Sequence, residues 1–177
     1  QVVVEAMVEA LTKAAPDLNR YPDREFTALR DDLAEYLRAT TGVPIAREQV
    51  WAGNGSNEVL LHVVQAFAGP GRRMLAFTPS YSMYPNYALT TATLWIDGYR
   101  GVPGGGVYDL APQMAADQVR AHAPHVVAIA SPNNPTGTAV SLDVIEAVYD
   151  AAPEAIVVVD EAYGEFARAG TASALTL

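Results

Sequence analysis

Four short polar segments carry residue types able to do chemistry. The first, Ala52–Glu58 (AGNGSNE), pairs glycines with Ser56 and Asn57. Glycines such as Gly55 let backbone approach a ligand closely. If a helix starts here, its free amides and positive dipole end favour a phosphate, with side-chain bonds from Ser56 and Asn57. The same two residues would equally serve to cap that helix. The segment nearly matches G-x-G-x-x-G, but Glu58 holds the third glycine's place and Arg73 stands where an acid is needed, which argues against a nicotinamide dinucleotide. The second segment, Thr78–Tyr84 (TPSYSMY), offers Tyr81, whose face could stack on a flat ring or simply pack. In the third, Ser131–Gly137 (SPNNPTG), two prolines and a glycine make a rigid loop. It holds Asn133 and Asn134, as selective donors to a ring oxygen or as an Asn-Pro turn. The fourth, Asp160–Tyr163 (DEAY), puts a carboxylate after four apolar residues. Such a group is costly to bury unless it is paired. No Lys follows Lys13, and Arg168 is the near basic residue in sequence. The natural partner is a ligand cation; a capped turn is the alternative.

Together the loops ask for a ligand with a phosphate, a flat ring for Tyr81, a ring oxygen for Asn134 and Tyr163, and a ring cation for Asp160. Pyridoxal 5′-phosphate has all four features. An Asp facing its pyridinium nitrogen keeps that nitrogen protonated, so the ring draws electrons from the α-carbon of a bound amino substrate.

These loops need a frame. The 177 residues are 50% hydrophobic and 18% charged, too apolar for a disordered chain. No apolar run approaches the ~20 residues needed to span a bilayer. The absence of Cys removes disulfides and thiolate sites. Three scattered His form no ligand pattern. The net charge of −9 makes nucleic acid and anionic membranes poor partners. Val4, Met7, Val8 and Leu11 predict an amphipathic helix, and Phe26, Leu29, Leu33 and Leu37 a second, with a breaker-rich loop from Pro16 to Pro22 between them. Strands are expected at Val50–Ala52, Met74–Phe77, Thr93–Ile96, Val126–Ala130 and Ile156–Val159. Helices are expected at Asn57–Phe67, Met83–Thr90, Met114–His122 and Leu142–Ala151, and Gly101–Gly106 reads as a surface loop. This alternation predicts an α/β fold: a mainly parallel sheet with helices on both faces. Ligands of such sheets bind at the carboxyl ends of the strands, where all four polar segments fall.

On LNRYPD (Leu18–Asp23), GNGSNE, TPSYSMY, SPNNPTG and VVDEAYGEF (Val158–Phe166), the chain resembles the fold-type-I pyridoxal-phosphate aminotransferases. LNRYPD ahead of GSNE points towards their histidinol-phosphate branch, with aromatic-amino-acid aminotransferases as the alternative. A non-catalytic pyridoxal-phosphate-binding sensor module is the rival of another class.

The resemblance implies that residues 1–45 form a helical segment leading into the large cofactor domain, part of which is 46–177. It implies that Gly55, Ser56 and Asn57 hold the cofactor phosphate and that Tyr81 stacks on the ring. Asn134 and Tyr163 would bond the ring oxygen, and Asp160 the ring nitrogen. Tyr21 would reach the cofactor phosphate of the neighbouring subunit, the bland reading being a loop anchor. Implied partners are an amino donor, histidinol phosphate, and a keto acid, 2-oxoglutarate, in a cytoplasmic homodimer with shared sites.

No catalytic residue is expected in this chain. The family's Schiff-base Lys lies beyond DEAY, as do the substrate-binding Arg and the small domain. The chain is therefore expected to be part of a longer one, inactive alone, with an exposed apolar edge at Ile156–Val159 that would make it poorly soluble or molten.

Overall fold

Runs rich in β-branched residues set the sheet. Val126–Ala130 (VVAIA) is buried at every position, as a central parallel strand must be when both its faces are covered. The computed structural model describes residues 1–101 and 104–177; Val102 and Pro103, within the Gly101–Gly106 stretch, lie outside the described residues. The chain divides into two compact units: Gln1–Thr40 with Pro44–Ala52, and Thr41–Val43 with Gly53–Leu177.

Among its described residues the second unit holds four strands, β1 (Arg73–Thr78), β2 (Leu94–Tyr99), β3 (Val126–Ala130) and β4 (Ile156–Asp160). They are parallel throughout and ordered β2-β1-β3-β4. Side chains alternate between two cores, as the two-residue period of a strand dictates. Leu75, Phe77, Val127 and Ile129 face Val119 and the Val144, Ile145 and Val148 stripe. Met74, Ala76, Val126, Ala128 and Ala130 face Leu60, Val64, Tyr84 and Tyr87. The first face is thus covered by α5 (Pro112–His122) and α6 (Leu142–Ala151), and the second by α3 (Ser56–Phe67) and α4 (Tyr84–Thr90). The expected α/β sheet with helices on both faces is what forms.

From β1 the chain moves outward to β2, and it then crosses back to β3 and on to β4. Connections therefore reverse between β1 and β3, the switch point where such sheets open a crevice. There the pairing also stops early. The β1–β3 register ends at Ala76↔Ala128, whereas β1–β2 runs on to Thr78↔Tyr99 and β3–β4 to Ala130↔Asp160.

Two expected strands change. Val50–Ala52 is not one: the backbone at Val50 is extended, but no strand lies beside it among the described residues, and extended chain without a ladder partner is not sheet. The run expected at Thr93–Ile96 becomes β2 and continues through Asp97 and Gly98 to Tyr99. As an edge strand, β2 tolerates Asp97. Gln118 on α5 extends its pairing by accepting from the Tyr99 N–H (2.7 Å) and donating to the Tyr99 carbonyl (3.0 Å). Gly98 is needed there, because a Cβ would stand 2.9 Å from the Ala76 carbonyl and 3.1 Å from Gln118 Oε1. Among the described residues β4 pairs with β3 alone, and its five residues are half-buried.

The first unit contains α1 (Val2–Ala14) and α2 (Thr27–Thr41, whose last residue falls in the second unit). The expected apolar stripe of α1, Val4, Met7, Val8 and Leu11, is exposed. Asp23 starts α2 by accepting from the Thr27 N–H at 2.7 Å and the Glu25 N–H at 3.0 Å. Arg30 then donates to the Arg47 carbonyl at 3.0 Å, tying α2 to the 44–52 segment. No helix among the described residues is long and apolar enough to cross a membrane.

Candidate functional site

The second unit brings five of the eight predicted site residues to one cleft. Ser56, Tyr81, Asn134, Asp160 and Tyr163 line it, with Ala130, Pro132 and Ala162, around a space of about 100 Å3. It lies at the carboxyl ends of β3 and β4, beside the switch point.

Gly55 sets the direction of α3. It precedes the helix at φ 80° and ψ 171°, a conformation open essentially to glycine. The helix has no side-chain cap, so the capping alternative for Ser56 and Asn57 is not what forms. Ser56 sits at the first helical position, among amide groups that lack intrahelical acceptors. The loop ahead is braced by Glu58, which accepts from the Asn54 N–H at 2.6 Å and Asn54 Nδ2 at 3.0 Å. Those bonds, backbone first, lower the Glu58 carboxyl below its ordinary value.

Asn57 is aimed by two tyrosines. Its Oδ1 accepts from Tyr81 Oη at 3.0 Å and from Tyr87 Oη at 2.9 Å. With the carbonyl end pinned, the plane of the amide is set. Tyr81 is fixed at both ends, its hydroxyl on Asn57 and its ring edge-to-face with Tyr84 at a 5.6 Å centroid separation and 87°.

Asn133 and Asn134 take separate tasks. Asn133 is buried and braces its loop, its Nδ2 donating to the Pro79 carbonyl at 3.0 Å and to Thr136 Oγ1 at 2.7 Å. That bond also joins the SPNNPTG loop to the TPSYSMY loop. Its neighbour Asn134 is the one that lines the cleft. The X-Pro bonds Ser131–Pro132 and Asn134–Pro135 are cis.

Asp160 ends β4. Its Oδ1 accepts from the Ala162 N–H at 3.1 Å and its Oδ2 from Tyr84 Oη at 2.8 Å. The turn-capping role is therefore real but occupies one oxygen. Among the described residues no basic side chain lies within ion-pair distance of Asp160, and Arg168 lines a neighbouring hollow instead. Tyr84 is wholly buried. Burial first, and then the Asp160 charge, hold its hydroxyl far above the ordinary tyrosine range, so it stays a donor.

Tyr21 belongs to the first unit, where its side chain is fully exposed. Tyr84, which donates to Asp160, Tyr87, which donates to Asn57, and Arg100, which donates to the carbonyl of the cleft residue Ala130, are not singled out in the sequence. Tyr84 had a usable signal: it stands three residues after Tyr81, inside the same motif. Arg100, the first residue past β2, had none.

The model of the class I and II aminotransferases matches residues 1–176, and the chain belongs to that family. A histidinol-phosphate aminotransferase of Paenarthrobacter aurescens is 55% identical over 174 residues, which are 97% of this chain and 45% of that protein. Histidinol-phosphate aminotransferase 3 of Burkholderia lata is 52% identical over 175 residues, 99% of this chain and 46% of its own. The fold is similar to that of histidinol-phosphate aminotransferase from Sinorhizobium meliloti, solved in complex with pyridoxal-5′-phosphate. The TM-score there is 0.74 at 20% identity, covering 93% of this chain and 42% of that one. The chain thus spans under half the length of the curated relatives it matches.

Proposed function

We propose that this chain forms the cofactor cradle of a pyridoxal-phosphate-dependent aminotransferase. In the whole protein it would transfer the amino group of histidinol phosphate to 2-oxoglutarate, in histidine biosynthesis. The observation that carries the reading is Asp160: a half-buried carboxylate facing a cleft, given two hydrogen bonds but, among the described residues, no cation within ion-pair distance. The ring nitrogen of the cofactor is the cation such a site lacks. The donor set agrees, with an uncapped helix start for a phosphate and an Asn and a Tyr for a ring oxygen.

Residues 1–45 would be a helical segment leading into the large domain, of which 46–177 is part. Gly55 would let the phosphate reach the α3 amides, with Ser56 and Asn57 Nδ2 donating to it. Tyr81 would cover one ring face, and Asn134 and Tyr163 would donate to the phenolic oxygen. Asp160, steadied by Tyr84, would hold the proton on the ring nitrogen. When bound, the cofactor supplies an electron sink for the substrate's α-carbon. Tyr21 would serve the phosphate of the neighbouring subunit in a cytoplasmic homodimer. The proton at the α-carbon needs a base; the single Lys here is Lys13 on α1, and a Lys from outside this stretch would supply that base.

The test is a titration of the full-length protein with pyridoxal phosphate, followed by a kinetic comparison of histidinol phosphate with phenylalanine as amino donor. Tight binding and a higher kcat/KM for histidinol phosphate are expected. A preference for phenylalanine would favour the aromatic-amino-acid reading, and failure to bind the cofactor would remove both.

A further inference from the structure

Arg100 is 3% exposed, yet no carboxylate lies within ion-pair distance of it among the described residues. A buried cation held without an anion is expensive, so its position calls for a reason. Its own N–H donates to the Thr78 carbonyl at 2.9 Å. Nε donates to the Phe77 carbonyl at 3.0 Å and Nη2 to the Ala130 carbonyl at 2.8 Å. Nη1 is buried without a partner among the described residues.

Phe77 and Ala130 lie just past the last β1–β3 pair, each still paired on its outer side, Phe77 with Gly98 and Ala130 with Asp160. β1 and β3 part after Ala76↔Ala128, and past that point Arg100 donates to both of these buried carbonyls, as a buried carbonyl needs. The rigid fork of a guanidinium can serve both at once. It thereby spans the two strand ends whose divergence opens the crevice. Ala130 lines the cleft directly, and the loop from Phe77 carries Tyr81 into it.

We infer that Arg100 is a positioning residue for the cofactor cleft: its guanidinium sets the gap between the ends of β1 and β3, and with it the spacing of Tyr81 from Asn134. The inference rests on the cofactor reading above. A lysine would not replace it, because an ammonium on one stem lacks the fork that reaches both carbonyls.

The experiment uses the full-length protein with Arg100→Met, Arg100→Lys and, as a control, Val119→Ala, which thins the core under α5 without removing a donor from either carbonyl. Pyridoxal-phosphate Kd, the absorption spectrum of the bound cofactor and the melting temperature are measured for each. Both Arg100 variants should weaken cofactor binding about tenfold, the scale of one charge-assisted hydrogen bond, and shift the bound spectrum. Val119→Ala should melt lower with Kd and spectrum unchanged. Arg100→Lys decides the question if Arg100→Met does not fold. If Arg100→Lys melts lower but keeps the parent's Kd and spectrum, or if neither Arg100 variant folds, Arg100 is a structural strut and the inference is overturned. If the unsubstituted protein binds no pyridoxal phosphate, the proposed function fails first and this inference falls with it.

Discussion

The Tyr84 hydroxyl donates to Asp160 Oδ2 at 2.8 Å across 76 residues of sequence. The bond joins the start of α4 to the end of β4 and leaves the carboxylate facing the cleft. Tyr84→Phe keeps the buried ring and removes the donor alone. A hydrogen bond to a charged group contributes about 1.5–3 kcal/mol, so the variant should melt measurably lower.

The same pair sets an alkaline limit. The folded Tyr84 hydroxyl binds its proton more tightly than in the unfolded chain, where the ordinary value is 10.0. Stabilisation from a raised value is complete below the unfolded value and declines as pH rises through the range between the two. Arg100, pushed down to about 10 by burial, acts in the opposite sense over part of this range, but it is common to both proteins. The stability difference between wild type and Tyr84→Phe should therefore be constant below pH 10.0 and shrink above it. A difference that grows with pH would contradict the assignment.

Ser56→Ala separates a ligand role from a capping role. Loss of a Ser cap costs about 1 kcal/mol, but α3 has no side-chain cap to lose. The cofactor-free protein should thus melt at the parent temperature, while pyridoxal-phosphate affinity drops about tenfold for one lost bond to a phosphate. A lower melting point with unchanged affinity would reverse the two roles.

How much of this was legible beforehand differs by element. α6 and β3 could be read end to end, because Val144, Ile145 and Val148 keep a helical period and VVAIA has no polar position. β2 was read three residues short, since an edge strand accepts Asp97 and Gly98 where periodicity expects a stop. Val50–Ala52 looked like a strand because its residues suit one, but pairing depends on a partner that local pattern does not contain. Ser56, Tyr81, Asn134, Asp160 and Tyr163 line one cleft: the loops of Tyr81, of Asn134 and of Asp160 with Tyr163 follow β1, β3 and β4, as the alternation of strands and helices implies, whereas Ser56 enters at the start of α3 with no strand ahead of it among the described residues. Arg100 stayed hidden, since its role depends on where β1 and β3 part, a property of two strands distant in sequence.

Asp160→Asn should separate charge from shape. The amide oxygen can still accept from the Ala162 N–H while the amide NH2 donates to the Tyr84 hydroxyl, which can turn to accept, so the fold should be kept, with melting changed by no more than about 1 kcal/mol in equivalent stability. The negative charge that would keep the ring nitrogen protonated is gone. Preorganised charge of this kind commonly supplies about a hundredfold or more in kcat, and a fall of that size is expected in a transamination assay of the full-length protein. Turnover within a few-fold of the parent would remove Asp160 from the mechanism.

Glu58 gives the cradle an acid limit of its own. Its carboxylate holds the Asn54 N–H and side-chain amide, and these bonds lower it below the ordinary value of 4.5. The folded loop therefore binds a proton more weakly than the unfolded chain. Stabilisation from a lowered value is present above 4.5 and is lost as pH falls through the folded value. Protonation would release the Asn54 N–H and loosen the turn that places Gly55 and Ser56 at the start of α3. Glu58→Gln presents a neutral oxygen that does not titrate. The parent should then shed cofactor more steeply on acidification than Glu58→Gln, as measured by retention of the bound-cofactor absorbance; parallel curves would show that the Asn54–Glu58 brace does not govern the phosphate end of the cleft.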